Sequence, residues 1–500
     1  MLLGLNRGGL GALVFAATAA GGCMVTPQPL TDSHLSNLAS ENLARVTADQ
    51  EPVRGPIDLY EAMARALKYN LDYRVELFEK SLRATELDLS HYSLLPKIIG
   101  GAGFDRRNNF NASSSFNLVT NTPNFGASTS RDRQLRERDL EISWDILDFG
   151  LSYVRARQTA DKVLIAEETK RKILNRIIED VRTAYWRAVS AERLAARLRL
   201  LEGRTKRALA NARSLSSDKQ TSPITALTYE RELVAIKRTI QELTRDLSVA
   251  KSQLAALMNL EPDSKFRLRL PHRYRRGLRL HASAREMVWA ALQNRPELRE
   301  VAYRQRINMR EADAAILELL PNFRLFASTN FDSNSFLLNN HWFGWGAKAT
   351  WHLLKVAEYP AKRAVLKAQD RLLHQRSLAL TMAVMTQVHV SRIRFFHYAR
   401  ELGTAREYYD VQRRLVEKMR AEASGGRISE QTLLREEMNT LVAEVKKDVI
   451  YSGLQNAYAN VHASMGLDPY SHQFDLDLNV KELAKTLRSV WVVRGDSAHR

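Results

Sequence analysis

One unit of this chain is written twice. The segment YEAMARALKYNLDYRV at 60–75 returns as REMVWAALQNRPELRE at 285–300, which sets Ala66 and Leu67 on Ala291 and Leu292 at an offset of 225. At the same offset Leu94, Leu95 and Pro96 meet Leu319, Leu320 and Pro321. Farther on, SWDILDFG at 143–150 pairs with TWHLLKVA at 350–357, and LMNLEP at 257–262 pairs with SMGLDP at 464–469, both at an offset of 207. Any fold must therefore accommodate two copies of one unit. The 18 residues lost between the two offsets lie between Leu-Leu-Pro and Trp, so the first copy carries an insertion of the kind a surface loop tolerates.

Each copy changes its hydrophobic period at matching places. From Asp58 to Leu95 apolar residues fall at helical spacing with a break near Asn70, and from Ser283 to Leu320 with a break near Pro296; Pro96 and Pro321 are expected to end these helices. A period of two follows. Phe323, Leu325, Ala327, Thr329 and Phe331 take one side, and Arg324, Ser328, Asn330 and Asp332 the other. On the return, Leu140, Ile142, Trp144 and Ile146 alternate with Glu141, Ser143 and Asp145, while Phe343, Trp345, Ala347, Ala349, Trp351 and Leu353 alternate with Gly344, Gly346, Lys348, Thr350 and His352. The hairpins span about 97–148 and 322–354, around Asn/Ser/Thr-rich loops at 106–138 and 333–341. Strands of about ten residues with one aromatic-rich apolar face and one polar face fit a transmembrane β-barrel. A soluble hairpin laid on a core has the same alternation.

Helix length favours the membrane alternative. Residues 151–215 and 357–423 read as single helices nearly free of Gly, each close to 100 Å at about 1.5 Å per residue. Such helices exceed a globular core and must pack as coiled coils. Each turns, at SSDKQTSP or SGGRISE, into a returning helix of about 40 residues, so that two shorter helices laid end to end match one long one. Ser222 before Pro223 reads as an N-cap with proline at the first helical position, and Ser429 as a second N-cap. Gly425 and Gly426 can supply the positive φ that ends a helix, with Arg427 at the exposed bend.

The N-terminus has the layout of an export signal: Arg7, then an apolar run from Gly8 to Ala20, too short to span a bilayer. Gly21, Gly22 and Cys23 resemble a bacterial lipobox, in which the thiol takes a diacylglycerol and becomes the first mature residue; Ala20 departs from the usual Leu. Met24 in place of Asp resembles the outer-membrane sorting pattern. Cys23 is the only cysteine of the 500 residues, and lipidation accounts for a mature chain without disulfides in a compartment that allows them.

Charged residues are 26% and hydrophobic ones 45% of the chain, enough to bury a core. A net charge of +19 would suit nucleic acid, but export separates the chain from DNA, and Lys and Arg spread along helices are solvated faces. No nucleic-acid partner is expected. No H-E-x-x-H, paired-Cys or Gly-rich phosphate motif occurs, and RGD at 494–496 is a chance tripeptide. The chain is expected to have no catalytic site, metal or cofactor. The strongly basic segment 267–281 joins the copies as an exposed linker, or docks on an anionic surface or an adaptor.

From about Ile57 to Asp468 the sequence resembles the TolC-type outer membrane efflux proteins, through the doubled Ala-Leu and Leu-Leu-Pro segments, the strand end WDILDFG, the turn GGRISEQTLLREE and the closing SMGLDP. The resemblance implies an α+β membrane protein: a homotrimer in which four strands per chain build a 12-strand outer-membrane β-barrel, continued by a long periplasmic α-helical coiled-coil barrel. It implies a passive exit channel of a tripartite efflux or type I secretion system, joined by a periplasmic adaptor to an inner-membrane pump or ABC transporter. Lys348 and Thr350 would line the lumen. The turns bearing Ser222, Pro223, Gly425, Gly426, Arg427 and Ser429 would meet the adaptor or close the pore. The expected divisions are a signal peptide at 1–22, an anchor segment at 23–56, repeats at 57–262 and 283–469 around a linker at 263–282, and a tail at 470–500. A lipid-anchored periplasmic coiled-coil adaptor or scaffold without a channel is the alternative; it would share the long helices and lack the doubled strands.

Acylation at Cys23 is directly testable. Cys23→Ser is expected to block lipid attachment and leave an unprocessed or unanchored chain, and mass spectrometry of the membrane-extracted wild type is expected to find Cys23 modified.

Overall fold

The computed structural model describes residues 27–48, 50–217, 223–261, 263–269, 280, 282–467 and 475–497. The signal segment, Cys23, Ser222 and most of the basic segment 267–281 lie outside them. Two compact units are present, residues 1–52 and 53–500. In the first, α1 (Asp32–Arg45) starts at Thr31, whose side chain accepts from the His34 N–H, and buries none of its residues.

The second unit shows the same element order twice. In the first half α2 (Leu59–Tyr69) and α3 (Leu71–Tyr92) lead through strands to α4 (Ile146–Ser217) and α5 (Pro223–Leu257). In the second, α6 (Ala284–Asn294) and α7 (Pro296–Leu317) lead through strands to α8 (Leu354–Ser424) and α9 (Glu430–Ser464). The caps recur at the 225 offset. Asp58 and Ser283 start α2 and α6, the latter in a full capping box with Glu286. Asn70 and Arg295, with ψ of 125° and 129°, break each pair, and Pro296 fills the first helical position where an N–H would be unpaired. The helices end at Tyr92 and Leu317, earlier than the prolines, because the last turn tightens: Ser93, Leu94 and Leu95 donate to carbonyls three residues back, as do Leu319 and Leu320.

The main sheet is antiparallel in the order β1–β4–β5–β6, with β1 Lys97–Arg106, β4 Gln134–Asp145, β5 Asn322–Asp332 and β6 His341–Thr350. The insertion of the first copy is not a loop throughout, as 106–138 was expected to be. It holds a separate two-stranded hairpin, β2 (Ala112–Asn117) and β3 (Thr122–Thr129). Two strand ends also need correction. Ile146 starts α4, because the Asn322 side chain on β5 accepts from the Leu147 N–H and supplies the cap. Trp351 leaves the sheet to donate from its indole to the Leu319 carbonyl (3.0 Å), and helix begins at Leu354.

At 72 and 71 residues, α4 and α8 are each about 110 Å long. Pro360 lies inside α8, at its seventh residue, where its missing N–H removes the ladder bond to the Val356 carbonyl. One part of α4 packs on α3 and the rest on α5; α8 is flanked likewise by α7 and α9. Among the described residues, three cores fill the unit. Ile57, Met63, Leu67, Ile177, Val181, Leu254 and Met258 form one, with Leu483 and Leu487 of α10 (Val480–Ser497) packed in it. The segment beyond 470 thus holds a docked helix as well as a tail. Leu194, Leu198, Leu233, Ile240, Leu434 and Leu441 form the second core, and Met287, Ala291, Val388, Phe395, Tyr458 and Val461 the third. Arg267 and Arg269, which open the basic segment, pair backbone to backbone with Ile57. Among the described residues no helix is long and apolar enough to cross a membrane.

Both closing motifs carry a left-handed residue at the 207 offset: Asn259 at φ 57° and Gly466 at φ 66°. Gly466 is packed against backbone: an added Cβ would lie 2.5 Å from the Asn294 carbonyl carbon. Gly466→Ala is therefore expected to cost more than the roughly 1–2 kcal/mol of the left-handed conformation alone, and Asn259→Gly to change stability little. Thermal unfolding of the detergent-solubilised protein checks both.

Candidate functional site

Alternation along the four paired strands sorts the sheet into two faces. Ile98 meets Ile142, Ile142 meets Ala327, and Ala327 meets Trp345; Leu325 stands between Trp144 and Ala347. This apolar face is bare: Ile98 and Phe343 are each 69% exposed and Trp345 80%. Arg136 and Arg138 fall on it only at the end of β4 remote from the helices, opposite Phe104 and Ala102.

The other face is polar. Arg324 pairs with Glu141 and donates to the Ser143 hydroxyl (3.3 Å). Lys97 reaches Asp148 (3.2 Å) and Asp145 (3.5 Å), and Asn322 donates to Asp145 (3.0 Å). These contacts join three strands to the start of α4. Lys348 lies opposite Arg324 and Thr350 opposite Asn322, so both candidates sit on this face and are exposed. Phe326 departs from the alternation, as do Ile99, Leu135 and Trp342: its ring lies over Gly346 across the strand pair, where an added Cβ would be 2.9 Å from Cζ. The ring covers backbone that a side chain would otherwise shield.

At the far end of α8, Gly425 has φ −91° and only Gly426 takes a positive φ, 73°. Gly426 N–H donates to the Ala423 carbonyl and Arg427 N–H to Glu422, both at 3.1 Å. Those two bonds define a Schellman ending, which closes orphan carbonyls and throws the chain outward. Arg427 is exposed, without an ion pair among the described residues. Ser429 caps α9 by accepting from the Thr432 N–H at 3.2 Å. Pro223 opens α5.

Sequence reasoning missed a ladder of charge between α4 and α9. Arg193 pairs with Asp448 (3.1 Å), Arg197 with Glu444 and Arg204 with Glu437; Arg420 of α8 also reaches Glu437 (2.9 Å). All three carboxylates are buried. The signal is present in the sequence: arginines spaced by four and seven on one helix face acids spaced by seven and four on the other, the order antiparallel helices require. Beside the ladder, burial holds the Lys447 ammonium below lysine's usual value, against the opposing pull of Asp448 and Glu444. Its Nζ lies 3.8 Å from the Tyr409 ring centre, and burial pushes that phenol up. Among the described residues no group of three or more His, Cys, Asp and Glu could hold a metal ion.

Comparison of this fold with solved structures finds outer-membrane channels. The Campylobacter jejuni CmeC outer membrane channel superposes with a TM-score of 0.65 over 92% of this chain and 97% of its own, at 15% identity. The chain has the fold of an outer-membrane channel. The Neisseria gonorrhoeae MtrE outer membrane channel in its open state shares this channel fold at TM-score 0.63 and 14% identity, over 83% of this chain and 91% of that one. The outer-membrane channel OprN does so at TM-score 0.63 and 16% identity, over 82% and 89%. Comparison with protein-family models gives no match, and comparison with curated proteins gives none either.

Proposed function

We propose that the chain is the outer-membrane exit channel of a tripartite export system, acting as a homotrimer and doing no chemistry itself. The carrying observation is the four-stranded sheet, with one bare apolar face and two unpaired edges, β1 and β6. In lipid, each unpaired backbone group costs several kcal/mol. Pairing β6 of one copy with β1 of the next removes both edges, and three copies close twelve strands. The apolar face then meets lipid, with Arg136 and Arg138 extending to the outer interface. The polar face with Lys348, Thr350 and the Arg324–Glu141 pair lines the lumen.

Bare stripes on the helices support the same association. Leu71, Val75, Phe78, Leu82, Leu89 and Tyr92 follow heptad spacing along α3 and are exposed, as are Val365, Leu372, Val390 and Ile393 on α8. Neighbouring copies would bury them and continue the barrel as a periplasmic helical tube. The turn at 424–430 and the start of α5 at Pro223 then stand about 100 Å from the membrane, where a periplasmic adaptor would join the tube to an inner-membrane pump or ABC transporter. Acylated Cys23 would hold the N-terminus in the same outer membrane.

The sheet faces provide the first test. Ala347→Arg or Ala349→Arg is expected to cost about 2–4 kcal/mol at the bilayer midplane, and Thr350→Arg far less. Heat-modifiable trimer in outer-membrane fractions reports it, and equal tolerance on both faces would remove the barrel. The turn provides the second. Arg427→Glu is expected to leave trimer abundance near normal while reducing export and adaptor crosslinking, because a reversed charge mismatches the interface. Undiminished export would take Arg427 out of the docking surface.

A further inference from the structure

The β2–β3 hairpin leaves an apolar face uncovered. The pair Phe116 with Pro123 sets those two residues on one side, with Asn117, Thr122, Ser115 and Asn124 on the other, and a register shift between Ser113 and Ser115 places Phe125 in the irregular stretch of β3 beside them. Phe116 and Phe125 are 53% and 83% exposed. At the tip the Asn117 side chain accepts from the Val119 and Thr120 N–H groups (2.9 and 3.1 Å), and Asn121 takes φ 54°. This fixed turn holds Leu118 and Val119 outward at 88% and 94% exposure. A two-stranded hairpin is marginal alone in water, and its base is held by Arg131 on Asp105 and Glu137 and by Arg133 over Phe110.

A second charge-free apolar tip lies at the same end of the sheet. The β5–β6 turn carries Phe336 at 53% and Leu338 at 97% exposure. Its polar half is occupied within the chain: Asn334 donates to the Ser130 carbonyl and accepts from the Asp132 N–H, while Asp132 takes both the N–H and hydroxyl of Ser335. These bonds fasten the turn to the β4 side of the hairpin. Leu338 adjoins β6, and the hairpin grows from β1; β6 and β1 are the two free edges of the sheet.

The geometry points to a collar in which the β2–β3 hairpin of each copy is covered by the β5–β6 turn of its neighbour, Leu338 of the one packing on Leu118, Val119 and Phe125 of the other. The inference rests on the trimer proposed above. When β6 of one copy pairs with β1 of the next, His341 at the start of β6 and Arg106 at the end of β1 come to the same rim, and the two tips stand side by side. Charge permits it: residues 108–130 and 333–340 contain no Asp, Glu, Lys or Arg in a chain of net charge +19, so copies meet there without repulsion. The collar would cover apolar surface at the seam beyond the bilayer, where lipid does not.

Cysteine crosslinking tests it in the full-length, membrane-inserted protein. Leu338→Cys is combined in turn with Leu118→Cys, Val119→Cys and Phe125→Cys, all at exposed positions, and trimer mass is measured by native mass spectrometry. Oxidation is expected to give a dimer-to-trimer ladder on non-reducing gels in at least one double variant and in no single variant. A native trimer with no ladder in any pair would overturn the collar and leave the channel reading standing. A ladder in Leu118→Cys alone would also overturn it, since the hairpins would then meet each other. Monomeric parent protein would overturn the trimer and the collar with it.

Discussion

Backbone groups on the free edges of a four-stranded sheet govern the rest of this structure. A strand offers hydrogen bonds on two sides, and β1 and β6 each use one. Water can satisfy the other side for a soluble sheet, but this sheet also exposes its larger aromatic side chains, and water satisfies those poorly. The same residues that make the apolar face thus make the edges intolerable unless another copy supplies the missing strand. The oligomer proposed above follows from the strands before any helix is considered.

Helices of 72 and 71 residues bring their own requirement, since a lone helix of that length buries nothing. The solution is lateral: each is matched end to end by a shorter pair, and α4 is fixed against α9 by apolar layers and by the Arg193–Asp448, Arg197–Glu444 and Arg204–Glu437 pairs. Buried pairs of this kind are weak sources of net stability, but leaving one member alone is costly, typically about 3–5 kcal/mol. A slip of one helical turn would break all three pairs and re-form only one, Arg197 with Asp448 or Arg193 with Glu444. Their physical effect is on register, so that the far turns lie at a defined distance from the sheet.

Much of this was legible because the chain repeats itself. The helix breaks at Asn70 and Arg295, the caps at Asp58 and Ser283, and the alternation along β5 and β6 can all be read from residue type and spacing. Ends set by distant partners could not be read that way: α4 starts at Ile146 because Asn322, far along the chain, caps it, and Trp351 quits its strand for the Leu319 carbonyl. The β2–β3 hairpin was hidden in a segment so rich in Asn, Ser and Thr that loop and edge strand look alike. For the candidate sites, the faces of Lys348 and Thr350 and the Ser429 cap were legible, and the single positive φ at Gly426 was narrowed from two glycines only by geometry. The charge ladder was readable in principle, but only by comparing two helices in opposite directions.

The insertion between Leu95 and Trp144 gives the two halves different standing. Their helices agree almost residue for residue, 11 with 11, 22 with 22, 72 with 71 and 35 with 35, so a ring of three chains would approach six-fold symmetry along its helical length. The hairpin exists in one half only. At the rim the ring must therefore drop to three-fold symmetry, alternating long and short arms around the mouth, and an external object would meet three equivalent surfaces there where the helical tube offers nearly six.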